Sequence, residues 1–137
     1  NEKGDRMKEK LLNVLKNAYS PYYNFKVAAI VVTNDGNMFS GVNVENANGT
    51  SICAERNALY SAITNGYTKG DVKEIHVMST TENDCFPCFI CRHALSDLCD
   101  KEVKVFSHTF SDSRIVMHTI EELCPYPFGD DSMKEEK

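Results

Sequence analysis

No run of about 18 apolar residues occurs in this chain, so no segment reads as a membrane-spanning helix. Residues Asn1 to Arg6 are polar and lack the apolar core of a secretory signal. They precede Met7 and read as an extension. There is no excess of basic charge. The 15 Lys and Arg against 20 Asp and Glu give a net charge of -5, which argues against a polyanionic partner such as nucleic acid. Linkers, internal repeats and low-complexity tracts are also missing. The 137 residues are therefore expected to form one domain, residues 1–137, with frayed ends at 1–6 and 129–137. Six cysteines without a secretory signal read as reduced thiols or metal ligands, not as a disulfide framework. A cytoplasmic protein is the consistent expectation.

What is present has a clear order. Met7, Leu11, Val14, Leu15 and Ala18 recur at helical spacing, which predicts an amphipathic helix over 7–19, stopped by Pro21. Residues 26–33 are apolar and β-branched and predict a buried strand. Asn34-Asp35-Gly36 signals a turn, with residues 37–45 returning as the hairpin partner. That hairpin would bring Phe25 near Asn43 and Glu45. A helix is predicted over 53–65, stopped at Gly66, then a strand over 73–79, a polar loop over 80–87 and a helix over 88–98. Strands are expected over 102–107 and 114–118. Thr119 to Glu122 matches a capping box for a short last helix. The order predicts an α/β layer architecture around one sheet.

The chemistry concentrates in two stretches. Cys88 and Cys91 form a C-x-x-C pair at a helix start, and Cys53 supplies a third thiol from far away in sequence. Three protein ligands suit a catalytic zinc, which keeps one tetrahedral position open for water. Glu55, two residues past Cys53, is placed to serve that water without ligating the metal. Both cysteine groups fall at predicted helix N-termini, where thiolates are stabilised. Zinc with three thiolates carries a formal charge of -1, which Arg56 and Arg92 could offset. The bland alternative is a closed zinc site that only braces the fold, with Cys85 as fourth ligand. Cys99 and Cys124 read as buried apolar residues, and His76, His93, His108 and His118 as structural or solvent-facing. Asn43 and Glu45, two apart on a strand, share a face and could clamp a diol.

Cys53-Ala54-Glu55-Arg56 followed by Pro87-Cys88-Phe89-Ile90-Cys91-Arg92 resembles the small homotetrameric cytidine deaminases. The resemblance extends through Tyr19-Ser20-Pro21-Tyr22, Phe25-Lys26-Val27, Gly41 to Asn46 and Glu121 to Pro125, and so spans roughly residues 7–128. It implies a three-layer α/β/α fold with a five-stranded mixed sheet. It implies one Zn²⁺ per chain on Cys53, Cys88 and Cys91, and Glu55 as proton shuttle in the hydrolytic deamination of cytidine or deoxycytidine. It assigns substrate binding to Phe25, Asn43, Glu45 and Ala54, and to Phe128 lent to a neighbouring subunit. Arg56 and Pro87 would support the metal ligands. A homotetramer acting on a small nucleoside, without nucleic acid or membrane, is the implied assembly.

The chain departs from this pattern in three places. Phe89-Ile90 fill a gap usually held by two small residues. The stretch from Asn43 to Cys53 is about one residue short and lacks a tyrosine near Asn48-Gly49 that contacts the sugar. Ala28 stands where glycine is common. Competing expectations are a deaminase of a blasticidin-type nucleoside antibiotic, a polynucleotide cytosine editor and a non-enzymatic zinc-braced module.

Overall fold

Val27–Thr33 forms a strand, β1, buried at every position. A continuous apolar run is expected where both faces of a sheet are covered. In the computed structural model, which describes residues 2–134, both faces are covered here. The other elements are α1 (Glu2–Leu15), β2 (Met38–Val42), α2 (Ala54–Thr64), β3 (Val72–Ser79), α3 (Phe89–Leu98), β4 (Lys104–His108), β5 (Ile115–Thr119), α4 (Ile120–Leu123) and α5 (Asp130–Met133). The strands lie in the order β2-β1-β3-β4-β5. Among these strands only β3 and β4 pair in parallel, across the α3 crossover. The expected five-stranded mixed sheet with helices on both faces is thus present.

Alternation along β1 divides the core in two. Ala28, Ile30 and Val32 pack with Met7, Leu11 and Leu15 of α1. Val27, Ala29 and Val31 share the opposite layer with Ala58, Leu59 and Ala62 of α2 and Leu95 of α3. Each fully buried leucine stabilises the fold by about 1.5–3 kcal/mol. The α2 layer sits very close to the sheet. A Cβ on Gly41 of β2 would lie only 2.7 Å from the Ala54 carbonyl oxygen and would collide with the Ala58 backbone nitrogen. Only glycine allows that approach.

Several boundaries differ from the sequence expectation. Residues 2–6 are not frayed. They extend α1, with Glu2 and Asp5 in its first turn, where acidic groups suit the helix dipole. The helix also stops at Leu15 instead of reaching residue 19. Tyr19 is drawn away to pair with the segment after β2: its N–H donates to the Asn43 carbonyl, and its carbonyl accepts from the Glu45 N–H. The strand β2 ends at Val42, so Asn43 and Glu45 lie just beyond it. Residues 130–133 form a helical turn, so this stretch of the tail is ordered too. Asn1 and residues 135–137, also expected to fray, fall outside the described residues. The capping box at Thr119 forms as expected, with Glu122 as its partner. Among the described residues no helix is long and apolar enough to cross a membrane.

Candidate metal centre and adjoining cavity

Cys53 is the N-cap of α2 and Cys88 the N-cap of α3. Two helix N-termini therefore converge, and their free N–H groups and dipoles favour negative sulfur. The Cys53 and Cys88 sulfurs are 3.6 Å apart, and the Cys91 sulfur completes a triangle with all separations within 4.8 Å. Zinc–sulfur bonds of about 2.3 Å in a tetrahedron place sulfurs about 3.8 Å apart, so the three thiols fit a zinc ion. Among the described residues this is the one such cluster, and neither Cys85 nor any histidine joins it. The closed four-cysteine site is therefore not formed.

The surroundings of the thiols supply positive charge from one side. Arg56 Nη2 donates to the Cys53 sulfur at 3.6 Å. The Cys91 thiol donates to Cys53, and with the Arg56 and Cys88 contacts this outweighs burial and holds Cys53 down to about 5, as a thiolate. Cys91 is held well above its ordinary value by the same bond, then by burial. Arg92 does not contact the sulfurs, contrary to expectation. Its Nε donates to the Pro87 carbonyl at 2.6 Å, its Nη1 to the Leu123 carbonyl at 3.2 Å, and its guanidinium lies over the Phe89 ring. Pro87, fully buried, is thus fixed from α3 ahead of the Cys88 thiol.

Glu55 is 4% exposed, in the first turn of α2. Burial pushes its carboxyl up to about 7, and the negative Cys53 adds to the rise. It borders a cavity of about 470 Å³, within the range of about 300–1,000 Å³ typical of small-molecule sites. The same cavity is lined by Phe25, Asn43, Glu45, Cys53, Ala54 and Cys88, so it gathers most of the residues singled out from the sequence.

Asn43 and Glu45 are both engaged with the loop between α1 and β1. Asn43 Oδ1 accepts from Val27 N at 2.8 Å, and its Nδ2 donates to the Phe25 carbonyl at 2.7 Å. The Glu45 carboxylate accepts from the Ser20 hydroxyl and from the Tyr22 and Tyr23 amides. Phe128 does not line this cavity. It is 60% exposed, on the tail beyond α4.

Sequence reasoning missed Tyr23, Ser51, Ile52, Asp84 and Phe86, which also line the cavity, and considered Cys85, another lining residue, only as a metal ligand. Asp84 to Phe86 run directly into Pro87-Cys88, and that adjacency was the available signal. Cys124, expected to be buried, is only partly so, whereas Cys99 is buried as expected.

A family model described as the cytidine and deoxycytidylate deaminase zinc-binding region matches residues 1–107. The chain is 36% identical over 119 residues to a cytidine deaminase of Halalkalibacterium halodurans, covering 86% of this chain and 88% of that protein. It is 34% identical over 116 residues to a cytidine deaminase of Mycoplasma genitalium, covering 84% and 87%. The crystal structure of a cytidine deaminase from Burkholderia pseudomallei superposes with a TM-score of 0.85 at 37% identity, over 90% of this chain and 98% of that one.

Proposed function

Because this chain belongs to the cytidine and deoxycytidylate deaminases, with their zinc-binding region, we propose that it hydrolyses cytidine and deoxycytidine to uridine and deoxyuridine plus ammonia. One observation carries this reading: a buried glutamate, tuned near neutrality, stands beside three convergent thiols on the wall of a nucleoside-sized cavity. Cys53, Cys88 and Cys91 would hold the zinc, whose Lewis acidity would bring the pKa of a water molecule down to about 7.

The chain's own groups do the rest. Glu55 accepts a proton from the water and delivers it to N3 of the pyrimidine as oxygen adds at C4. It then takes the proton of the new C4 hydroxyl and passes it to the exocyclic amine, which leaves as ammonia while the C4 carbonyl forms. One carboxyl can serve both transfers because it gives up one proton before it takes the next, and burial, by raising its pKa, favours the protonated state that each delivery needs. Phe25 forms one side of the wall beside the base. Asn43 and Glu45 hold that wall in place and present their remaining lone pairs and N–H to the sugar.

The lining supports a nucleoside over a nucleotide. It includes Glu45, Glu55 and Asp84 and, among the described residues, no lysine or arginine, so a phosphate would find no cation in the wall. Phe128 is read as an aromatic that enters the cavity of a second copy in a homotetramer. Its exposure and its absence from the lining of its own cavity support that role.

Ammonia release from cytidine, deoxycytidine, deoxycytidylate, free cytosine, blasticidin S and a cytosine-containing oligonucleotide tests the proposal. The two nucleosides are the expected substrates, with cytosine far poorer because loss of the sugar leaves buried polar groups without partners. Turnover of blasticidin S alone, or of the oligonucleotide alone, would overturn it.

A further inference from the structure

Phe128 lies outside its own cavity, yet its backbone is firmly held. His93 Nε2 donates to the Phe128 carbonyl at 2.7 Å. At the other end of the same segment, Arg92 Nη1 donates to the Leu123 carbonyl at 3.2 Å. Arg92 and His93 directly follow Cys91 on α3. One stretch of helix therefore carries two of the three thiols and grips both ends of the segment Leu123 to Phe128.

That segment needs gripping. Tyr126 adopts φ 52°, in the left-handed region, immediately before Pro127. A residue ahead of proline is pushed toward extended conformations, and a non-glycine residue in the left-handed region is strained. The Tyr126 side chain is fully exposed and does not fix the bend by its own packing. The two contacts from α3 lie on either side of it.

We propose that His93 is a positioning residue for the reaction, setting how far the Phe128 ring projects into the cavity of a second copy of the chain. This rests on the reading of Phe128 given above. Of the two gripping residues His93 is the cleaner to change. Arg92 also holds Pro87, next to the Cys88 thiol, whereas the Phe128 carbonyl is the hydrogen-bond partner of His93, with Asp97 more distant at 3.8 Å. A lost hydrogen bond of this kind corresponds to a factor of about 2 to 10 in affinity.

The experiment is steady-state kinetics on zinc-loaded His93→Ala, His93→Gln, Phe128→Ala and the double alanine variant, each with zinc content and assembly size measured. His93→Ala is expected to raise KM for cytidine about 2- to 10-fold with kcat nearly unchanged. His93→Gln, which can present an amide N–H, is expected to recover most of the loss. In the Phe128→Ala background the His93→Ala change should add nothing. His93→Leu repeats the test without a donor should the alanine variant lose its fold. Additive losses in the double variant would overturn the proposal, as would a normal KM in His93→Ala when Phe128→Ala is impaired. A silent Phe128→Ala would instead remove the reading of Phe128 on which the proposal stands.

Discussion

Asn43 bridges the backbone on both sides of Lys26, accepting from Val27 N and donating to the Phe25 carbonyl. It therefore sets the height of Phe25 in the cavity wall as β1 begins. Asn43→Asp keeps the acceptor for Val27 and loses the donor to Phe25. The expected result is a loss of stability of about 0.5–1.5 kcal/mol in urea unfolding and a raised KM for cytidine. Unchanged kinetics with lowered stability would show the bridge to be structural alone.

Glu55→Gln tests the proton shuttle. The amide occupies the same volume and cannot exchange a proton, so the fold and the bound zinc should persist. Turnover should fall by roughly 10²–10⁴, the usual share of acid–base catalysis. Near-normal turnover would reject the role.

Metal content separates ligands from bystanders. Each chain should hold one zinc, and Cys53→Ala, Cys88→Ala and Cys91→Ala should each lower its retention sharply on dialysis against a chelator. Cys85 stands outside the thiol triangle, so Cys85→Ala should retain the metal. Loss of zinc in that variant would revive the closed four-cysteine site.

The acid limb of stability should depend on two histidines far from the metal. His76 Nδ1 and His108 Nε2 are 2.8 Å apart on the sheet face toward α1. Burial holds both rings down to about 4, with mutual repulsion and Lys8 adding at His108 and Glu74 opposing. In the unfolded chain they take protons near 6.5, so the unfolded state binds more protons between about 6.5 and 4. Stability is then full above pH 6.5 and falls as the pH drops through that window, by up to roughly 3 kcal/mol for each ring. Urea midpoints at pH 7.5 and 5 should differ more for the native chain than for His76→Gln. The comparison between the two proteins cancels any contribution from zinc release.

Assembly can be read from mixed chains. Glu55→Gln should be nearly inactive alone and Phe128→Ala impaired alone. Co-expressed, they form sites in which an intact Glu55 meets an intact Phe128 from the other chain. Activity above the sum of the separate proteins is expected. A strictly additive mixture would show that Phe128 acts within its own chain or not at all.

The sequence was most informative where chemistry is tied to spacing. Cys88 and Cys91 fix each other on one helix turn, Glu55 is fixed to Cys53 in the same way, and both N-cap positions follow from the start of the apolar helix pattern. The run from Val27 to Thr33 likewise reads as a covered strand through its short length, its β-branched residues and the Asn34-Asp35-Gly36 turn that follows. What could not be read was competition between backbone partners. Tyr19 fits the helical pattern of α1, yet pairing with Asn43 and Glu45 takes its backbone and ends the helix early. Arg92, directly after Cys91, looked as able as Arg56, three residues after Cys53, to offset the charge of the sulfurs. On the folded helix it faces Pro87 and Leu123 instead of sulfur. The buried histidine pair was equally invisible, because β3 and β4 become neighbours only through the crossover.

Gly41 turns the metal centre into a gauge of the gap between sheet and helix. The thiols of Cys88 and Cys91 ride on α3, whereas Cys53 rides on the α2 segment pressed against Gly41. A single methyl group on that glycine would lift α2 and draw the Cys53 sulfur away from the other two. The fault would then register as a weakened grip on the ion, with the added atom several residues away in the opposite wall. Zinc affinity is therefore expected to follow the thickness of a layer of protein as well as the identity of the three thiols.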